Sequence, residues 1–210
     1  MMSTLIHLFD GVEKPINESE NNMIGISDFP FQEYVGQVVE HNREYTGKKY
    51  VLHKRKLILN SNHNSVKENL AICYMIVVMG RIKKIGQTSG EGGLWSCMQF
   101  YGGAGQDDPS ITRFGINLLM RGEIKKGNDV DIYFQYDRPH KHTFNGATGP
   151  VTRNVLMSPK HIEEDCLSHY VATTGEYPDW NFQEDGNKQS MPLWIEESFA
   201  EYIHQRKGKK

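Results

Sequence analysis

The chain has no excess of positive charge: 24 Lys and Arg stand against 26 Asp and Glu, giving a formal net charge of −2 and an isoelectric point near 6.5. A surface that is basic all over is excluded, so any affinity for a polyanion must come from local clusters. Cysteine is scarce too. Cys73, Cys97 and Cys166 are odd in number, widely spaced and form no Cys-x-x-Cys pair. Neither a disulfide framework nor a structural zinc site is indicated, and reduced intracellular thiols are the simple expectation. Long apolar runs are missing: the strongest, Leu70 to Met79, falls well short of the roughly 20 residues that a spanning helix needs. The first residues lack the basic start and apolar stretch of a secretory signal, with Asp10 and Glu13 arriving early, so a cytoplasmic protein is expected. Internal repeats and low-complexity segments are absent as well.

What is present fits one compact domain with an appended lobe: 210 residues, 38% hydrophobic and 24% charged. Residues 1–69 read as an N-terminal arm and lobe, 70–185 as a core, and 186–210 as a C-terminal helix with a basic tail. Within the arm, Gly11 to Asp28 is polar and acidic, and a short helical lobe is expected from about Phe31 to Asn42. A basic segment follows, in which Arg43, Lys48, Lys49, Lys54, Arg55 and Lys56 face one acid, Glu44, with Tyr45 and Tyr50 interleaved.

From Leu70 the apolar run LAICYMIVVM reads as a buried strand. RIKKIG continues it as a hairpin turning around Met79, Gly80 and Arg81. Gly-rich loops then flank a short helix through Tyr101. Pro109 and Ser110 introduce a helix with Ile111, Phe114, Leu118 and Met120 on its apolar side and Gly122 as a stop. Val130, Ile132, Phe134 and Tyr136 alternate as a third strand. Ser158 caps, and Pro159 starts, a helix that stops by Gly175. A last amphipathic helix runs from about Leu193 to Gln205. The pattern β-β-α-β-α, with extra helices at both ends, predicts an α/β (α+β) layered fold: a small sheet flanked by helices.

Cutting a phosphodiester requires a divalent cation held on a carboxylate, an activated water, and charge to neutralise the phosphoryl oxygens. Ile72-Cys73-Tyr74 lies in the first strand and Lys84-Ile85-Gly86 ends the second, so the hairpin can bring Tyr74 and Lys84 together at one end of the sheet. Further on, Glu163 sits in PKHIEEDCLSHY, and Pro178, Asp179, Trp180 and Asn181 follow it. In this order the pieces resemble the GIY-YIG nucleases. The two tripeptides stand for Gly-Ile-Tyr and Tyr-Ile-Gly, with a later helix glutamate and a Pro-x-Trp-Asn motif. The stretch is similar to the restriction-enzyme branch in which lysine replaces the second tyrosine, and the resemblance covers roughly residues 70 to 181.

The resemblance implies a type II restriction endonuclease that hydrolyses double-stranded DNA with Mg²⁺ or Mn²⁺ bound by Glu163. Tyr74 would contact or deprotonate the attacking water, and Lys84 would favour its phenolate. Asn181 would hold the active-site geometry or a phosphate, with Trp180 packed beneath. The chain departs from the family pattern at one place: no arginine lies between Gln87 and Asp108, and the expected position falls near Ser96 or Cys97. Arg113 is the candidate substitute. Tyr101 or Phe100 matches the tyrosine that follows one helical turn later. Lys48, Lys49, Lys54, Arg55, Lys56 and Tyr101 are candidate DNA contacts, whereas His140 and His142 read as exposed polar residues. A homodimer would match a palindromic site. The competing readings are a nicking repair or mobile-element nuclease and a DNA-binding protein of the same fold that has lost cleavage.

Overall fold

The computed structural model describes residues 24–47, 50–102, 109–182 and 190–207, and the side chains of these except 41–56, 206 and 207. Its strands are β1 (Glu33–Gly47), β2 (Tyr50–Asn60), β3 (Ala71–Val78), β4 (Arg81–Thr88), β5 (Val130–Asp137), β6 (His140–Gly146) and β7 (Gly149–Val155). The helices are α1 (Gly93–Gly102), α2 (Ile111–Lys125), α3 (Pro159–Thr174) and α4 (Leu193–Lys207). Five strands form one antiparallel sheet in the order β2-β1-β5-β3-β4, and β6 and β7 pair only with each other. The fold is α+β.

Strand β3 lies between β5 and β4, and all of its residues are buried. This accounts for an apolar run without alternation: a central strand covered on both faces has no solvent side. Successive side chains still point to opposite faces. Ile72, Tyr74, Ile76 and Val78 meet Leu94, Met98 and Tyr101 of α1, Ile116 and Met120 of α2, and Trp180. Ala71, Cys73, Met75 and Val77 meet Ile162, Cys166, Leu167 and Tyr170 of α3. Helix α4 packs on α2 through Phe114, Leu118 and Tyr202. At the β3–β4 turn, Met79 and Gly80 both have positive φ (49° and 77°), as a two-residue hairpin turn of matching twist requires.

The segment expected as a helical lobe, Phe31 to Asn42, is instead largely strand β1. Val35 and Val38 are both buried at a spacing of three, which is helix-like, but the cause is a bulge: the β1–β5 register shifts between Tyr34 and Gly36. The extra residue of a bulge resets which face a side chain takes. Gly36 permits it, with φ 154° and so close an approach that a Cβ would stand 2.2 Å from the Asn60 carbonyl oxygen. The basic segment likewise forms β2 and pairs with β1 from Gly47↔Tyr50 to Gln37↔Asn60. Lys48 and Lys49 lie outside the described residues, and the side chains of Lys54, Arg55 and Lys56 outside the described side chains. Helix α2 runs past Gly122 to Lys125.

No helix among the described residues is long and apolar enough to cross a membrane.

Candidate active site

The antiparallel register sets Tyr74 opposite Gly86 and Ile76 opposite Lys84, so Tyr74 and Lys84 share a face of the hairpin one pair apart. Gly86 makes room for the phenol: a Cβ there would stand 2.5 Å from Tyr74 Oη and 2.6 Å from Cζ. Tyr74 is only 2% exposed, and its hydroxyl shares a 2.7 Å hydrogen bond with the hydroxyl of Tyr101. Tyr101 is placed in turn by Asn117, whose amide donates to the carbonyls of Tyr101 (2.7 Å) and Gly102 at the end of α1. Asn117 itself is held by Arg121, which also pairs with Glu40. Arg121 thus belongs to the α2–β1 junction.

Burial pushes the Tyr74 phenol well above its ordinary range, and Cys97 and Tyr101 beside it add to the rise. Tyr101 is raised as well, first by burial and then by Cys97, with the Tyr74 hydrogen bond and the charge of Arg113 acting against that and Glu163 adding to it. For Cys97, burial raises the thiol while its hydrogen bond to Tyr74 and the charges of Lys84 and Arg113 lower it. These mutual influences locate the group. Lys84 and Arg113 both act on Cys97, and Arg113 and Glu163 both act on Tyr101. Glu163 stands on α3, which covers the opposite face of the sheet from Tyr74; it acts on Cys73 and Cys166 there and, as the weakest influence, on Tyr101.

Cys97, at the position where arginine was expected, lies against Tyr74. Arg113 is exposed in the first turn of α2 and stacks its guanidinium 4.7 Å above the Phe100 ring. Its charge approaches the same place from the neighbouring helix.

Asn181 is fully buried at the edge strand. Its Oδ1 accepts from the Ile85 N–H (2.9 Å) and its Nδ2 donates to the Ile85 carbonyl (2.8 Å). The Trp180 N–H donates to the Lys83 carbonyl (2.8 Å), and Lys83 Nζ donates to Asp179 (2.9 Å). The Pro-Asp-Trp-Asn segment thus satisfies the outer backbone edge of β4 with a side-chain amide standing in for a strand. Truncating Asn181→Ala strands two buried backbone groups at once, each costing about 1–3 kcal/mol. Urea unfolding is expected to show a loss of about 2–6 kcal/mol, and an unchanged midpoint would remove Asn181 from the support of β4.

Sequence reasoning expected Tyr74, Lys84, Arg113 and Glu163 in one neighbourhood; in the structure Lys84 and Arg113 act on Cys97 beside Tyr74, and Arg113 and Glu163 act on Tyr101. Sequence reasoning missed the tyrosine pair. Tyr101, expected on DNA, is 9% exposed with its hydroxyl on Tyr74; the signal available was the tyrosine one helical turn beyond the expected arginine. Among the described residues, no group of three or more His, Cys, Asp or Glu could hold a metal ion. The half-buried Glu163 is a single carboxylate, a donor set that suits a hard cation keeping most of its waters, as Mg²⁺ does. His140 and His142 stand exposed on β6.

No protein-family model matches the chain, and no curated protein matches it. Among solved structures, the chain is similar to restriction endonuclease HPY188I in complex with product DNA, at 18% identity and a TM-score of 0.43, over 84% of this chain and 95% of that one. It is also similar to a mutant of bacteriophage T4 EndoII, at 15% identity and a TM-score of 0.47, over 77% of this chain and 99% of that one. Neither likeness is close enough to assign the chain to a family.

Proposed function

We propose that this chain is a divalent-metal-dependent endonuclease of the GIY-YIG type that cuts double-stranded DNA as a restriction enzyme. The observation that carries the reading is the cluster of Tyr74, Tyr101 and Cys97 beside the β3–β4 hairpin, with Lys84 and Arg113 acting on Cys97 and Arg113 and Glu163 acting on Tyr101. In this reading Glu163 holds Mg²⁺ or Mn²⁺, which when bound would neutralise charge on the phosphoryl group. Lys84 and Arg113 face the same anion, Tyr74 takes the proton of the attacking water, and Asn181 positions β4. Tyr74 is covered in the resting chain, so the attacking water must take the place of the Tyr101 hydroxyl on it. Contacts that form only with substrate bound are common in catalytic sites. The basic segment with Lys48, Lys49, Lys54, Arg55 and Lys56 supplies phosphate contacts, and a homodimer delivers a cut to each strand.

Incubating the full chain with plasmid DNA and Mg²⁺ tests the reading. Discrete double-strand fragments that vanish in chelator support it, whereas nicked circles point to a nicking nuclease. Retarded but intact DNA points to a binding protein, a reading favoured by the sealed Tyr74 and by Cys97 at the arginine position.

Arg113→Ala is expected to slow cleavage about a hundredfold, as loss of a fork that grips a phosphate does. Arg113→Lys should recover little, since a point charge cannot reproduce the fork. Equal rates in Lys and wild type would reduce Arg113 to a general source of charge.

A further inference from the structure

Among the described residues the β6–β7 hairpin has no partner in the main sheet, and nearly all of its side chains are exposed on both faces. A two-stranded ribbon in water is marginal by itself. Its root is nevertheless fixed. Asp137 accepts from the Met157 N–H (2.9 Å), and Arg138 pairs with Glu68 (2.6 Å), donates to Ser65 (3.0 Å) and stacks over Tyr136.

Charge distinguishes the ribbon from the rest of the surface. Residues 138–162 hold no acidic side chain, although 26 Asp and Glu are spread over the 210 residues; the ribbon itself carries Lys141 and Arg153, while Arg138 at its root and Lys160 on α3 pair with Glu68 and Glu164. The pairing Lys141↔Asn154, Thr143↔Thr152 and Asn145↔Pro150 collects polar groups on one face, while His140↔Val155, His142↔Arg153 and Phe144↔Val151 fill the other. A 2.8 Å hydrogen bond joins the two threonine hydroxyls across the polar face.

We propose that this ribbon reads sequence in duplex DNA, entering the major groove with the face that carries Lys141, Thr143, Asn145, Thr152 and Asn154. The choice of duplex DNA rests on the nuclease reading above; the surface itself is chosen by shape and chemistry. The major groove, about 12 Å wide, admits a two-stranded ribbon. Lysine matches guanine O6 and N7, asparagine matches adenine N6 and N7, and threonine meets the thymine methyl. An acid-free ribbon approaches phosphates without repulsion. The ribbon leaves β5, which pairs with β3 at Phe134↔Tyr74, and returns into α3 just before Glu163. A groove occupied by the ribbon thus lies next to the elements that carry the candidate site.

Selection from a pool of random-sequence 30-bp duplexes, with the full chain in chelator to hold back cleavage, tests this. Wild type is expected to enrich one motif and to shield guanine N7 within it from dimethyl sulfate. The combined variant Lys141→Ala, Asn145→Ala, Asn154→Ala, all at exposed positions, is expected to keep its thermal melt. It should lose about tenfold or more of the preference for that motif over the unselected pool. The same motif selected with undiminished preference by the triple variant overturns the proposal, as does a wild-type motif with no N7 protection. A chain that cuts plasmid at discrete sites while the triple variant keeps its specificity leaves the nuclease reading standing and this one fallen. A ribbon-dependent motif bound by a chain that never cuts does the reverse.

Discussion

Glu163→Gln is expected to bind duplex DNA as tightly as wild type and to cut it at least about a thousandfold more slowly, a loss of about 4 kcal/mol in transition-state stabilisation. The substitution keeps the size and the hydrogen-bonding outline of the side chain but removes its charge. Glu163 lies half-buried on α3, and no cluster of three or more metal-binding side chains occurs among the described residues. If a cation is held here by one carboxylate and water, a neutral amide cannot hold it, and excess Mn²⁺ should restore little. Its neighbour Glu164 offers the control: it is exposed and pairs with Lys160 at 3.6 Å, so Glu164→Gln should leave the rate within about twofold of wild type. Equal loss in both variants would mean that the charge of α3 as a whole matters rather than one ligand. Undiminished cleavage in Glu163→Gln would take that residue out of the mechanism.

The parts of the fold that could be read in advance are those where a local signal agrees with its tertiary setting. Strand β3 declares itself by an unbroken apolar run rich in β-branched residues, the β3–β4 hairpin by Gly80, and α3 by Pro159 and by Gly175, where the chain does turn left-handed at φ 80°; Ser158 stands at the cap position but its side chain makes no cap hydrogen bond. The N-terminal strands could not be read in this way. The Gly36 bulge gives β1 a helix-like spacing of buried valines, and only the approach of Asn60 and Ser61 to Gly36 reveals the reason. Strands β6 and β7 bury nothing, so they lack the alternation of apolar and polar residues by which a half-buried strand is recognised.

The candidate site divides in the same way. Tyr74, Lys84 and Glu163 stand out through spacing and residue type, whereas the Tyr74–Tyr101 bond depends on the end of α1 being fixed by Asn117 from another helix. Asn181 was expected to hold the site's geometry or a phosphate; that both ends of its buried amide serve Ile85 follows only from β4 being the edge strand.

Tyr74→Phe carries the other large effect, because it removes one oxygen while leaving the ring against Gly86. Cleavage is expected to fall about a thousandfold at neutral pH, within the range for loss of a proton-transfer group. The wild-type pH profile supplies the decisive comparison. Burial, with Cys97 and Tyr101, holds the Tyr74 phenol above its usual value near 10, so the phenolate is the minor form at every pH below that. Its fraction grows tenfold with each pH unit. If the phenolate takes the proton of the attacking water, the wild-type rate rises by about tenfold per unit from about pH 7 to about pH 9 without levelling, and Tyr74→Phe is flat across the same range. A steep rise retained in the Phe variant would assign the proton to some other group. Tyr101→Phe sharpens the test, since the Tyr101 hydroxyl occupies the Tyr74 hydroxyl at 2.7 Å in the resting chain. Removing it should open Tyr74 to the attacking water and speed cleavage at each pH, and slower cleavage would mean that Tyr101 assists the proton transfer instead of blocking it.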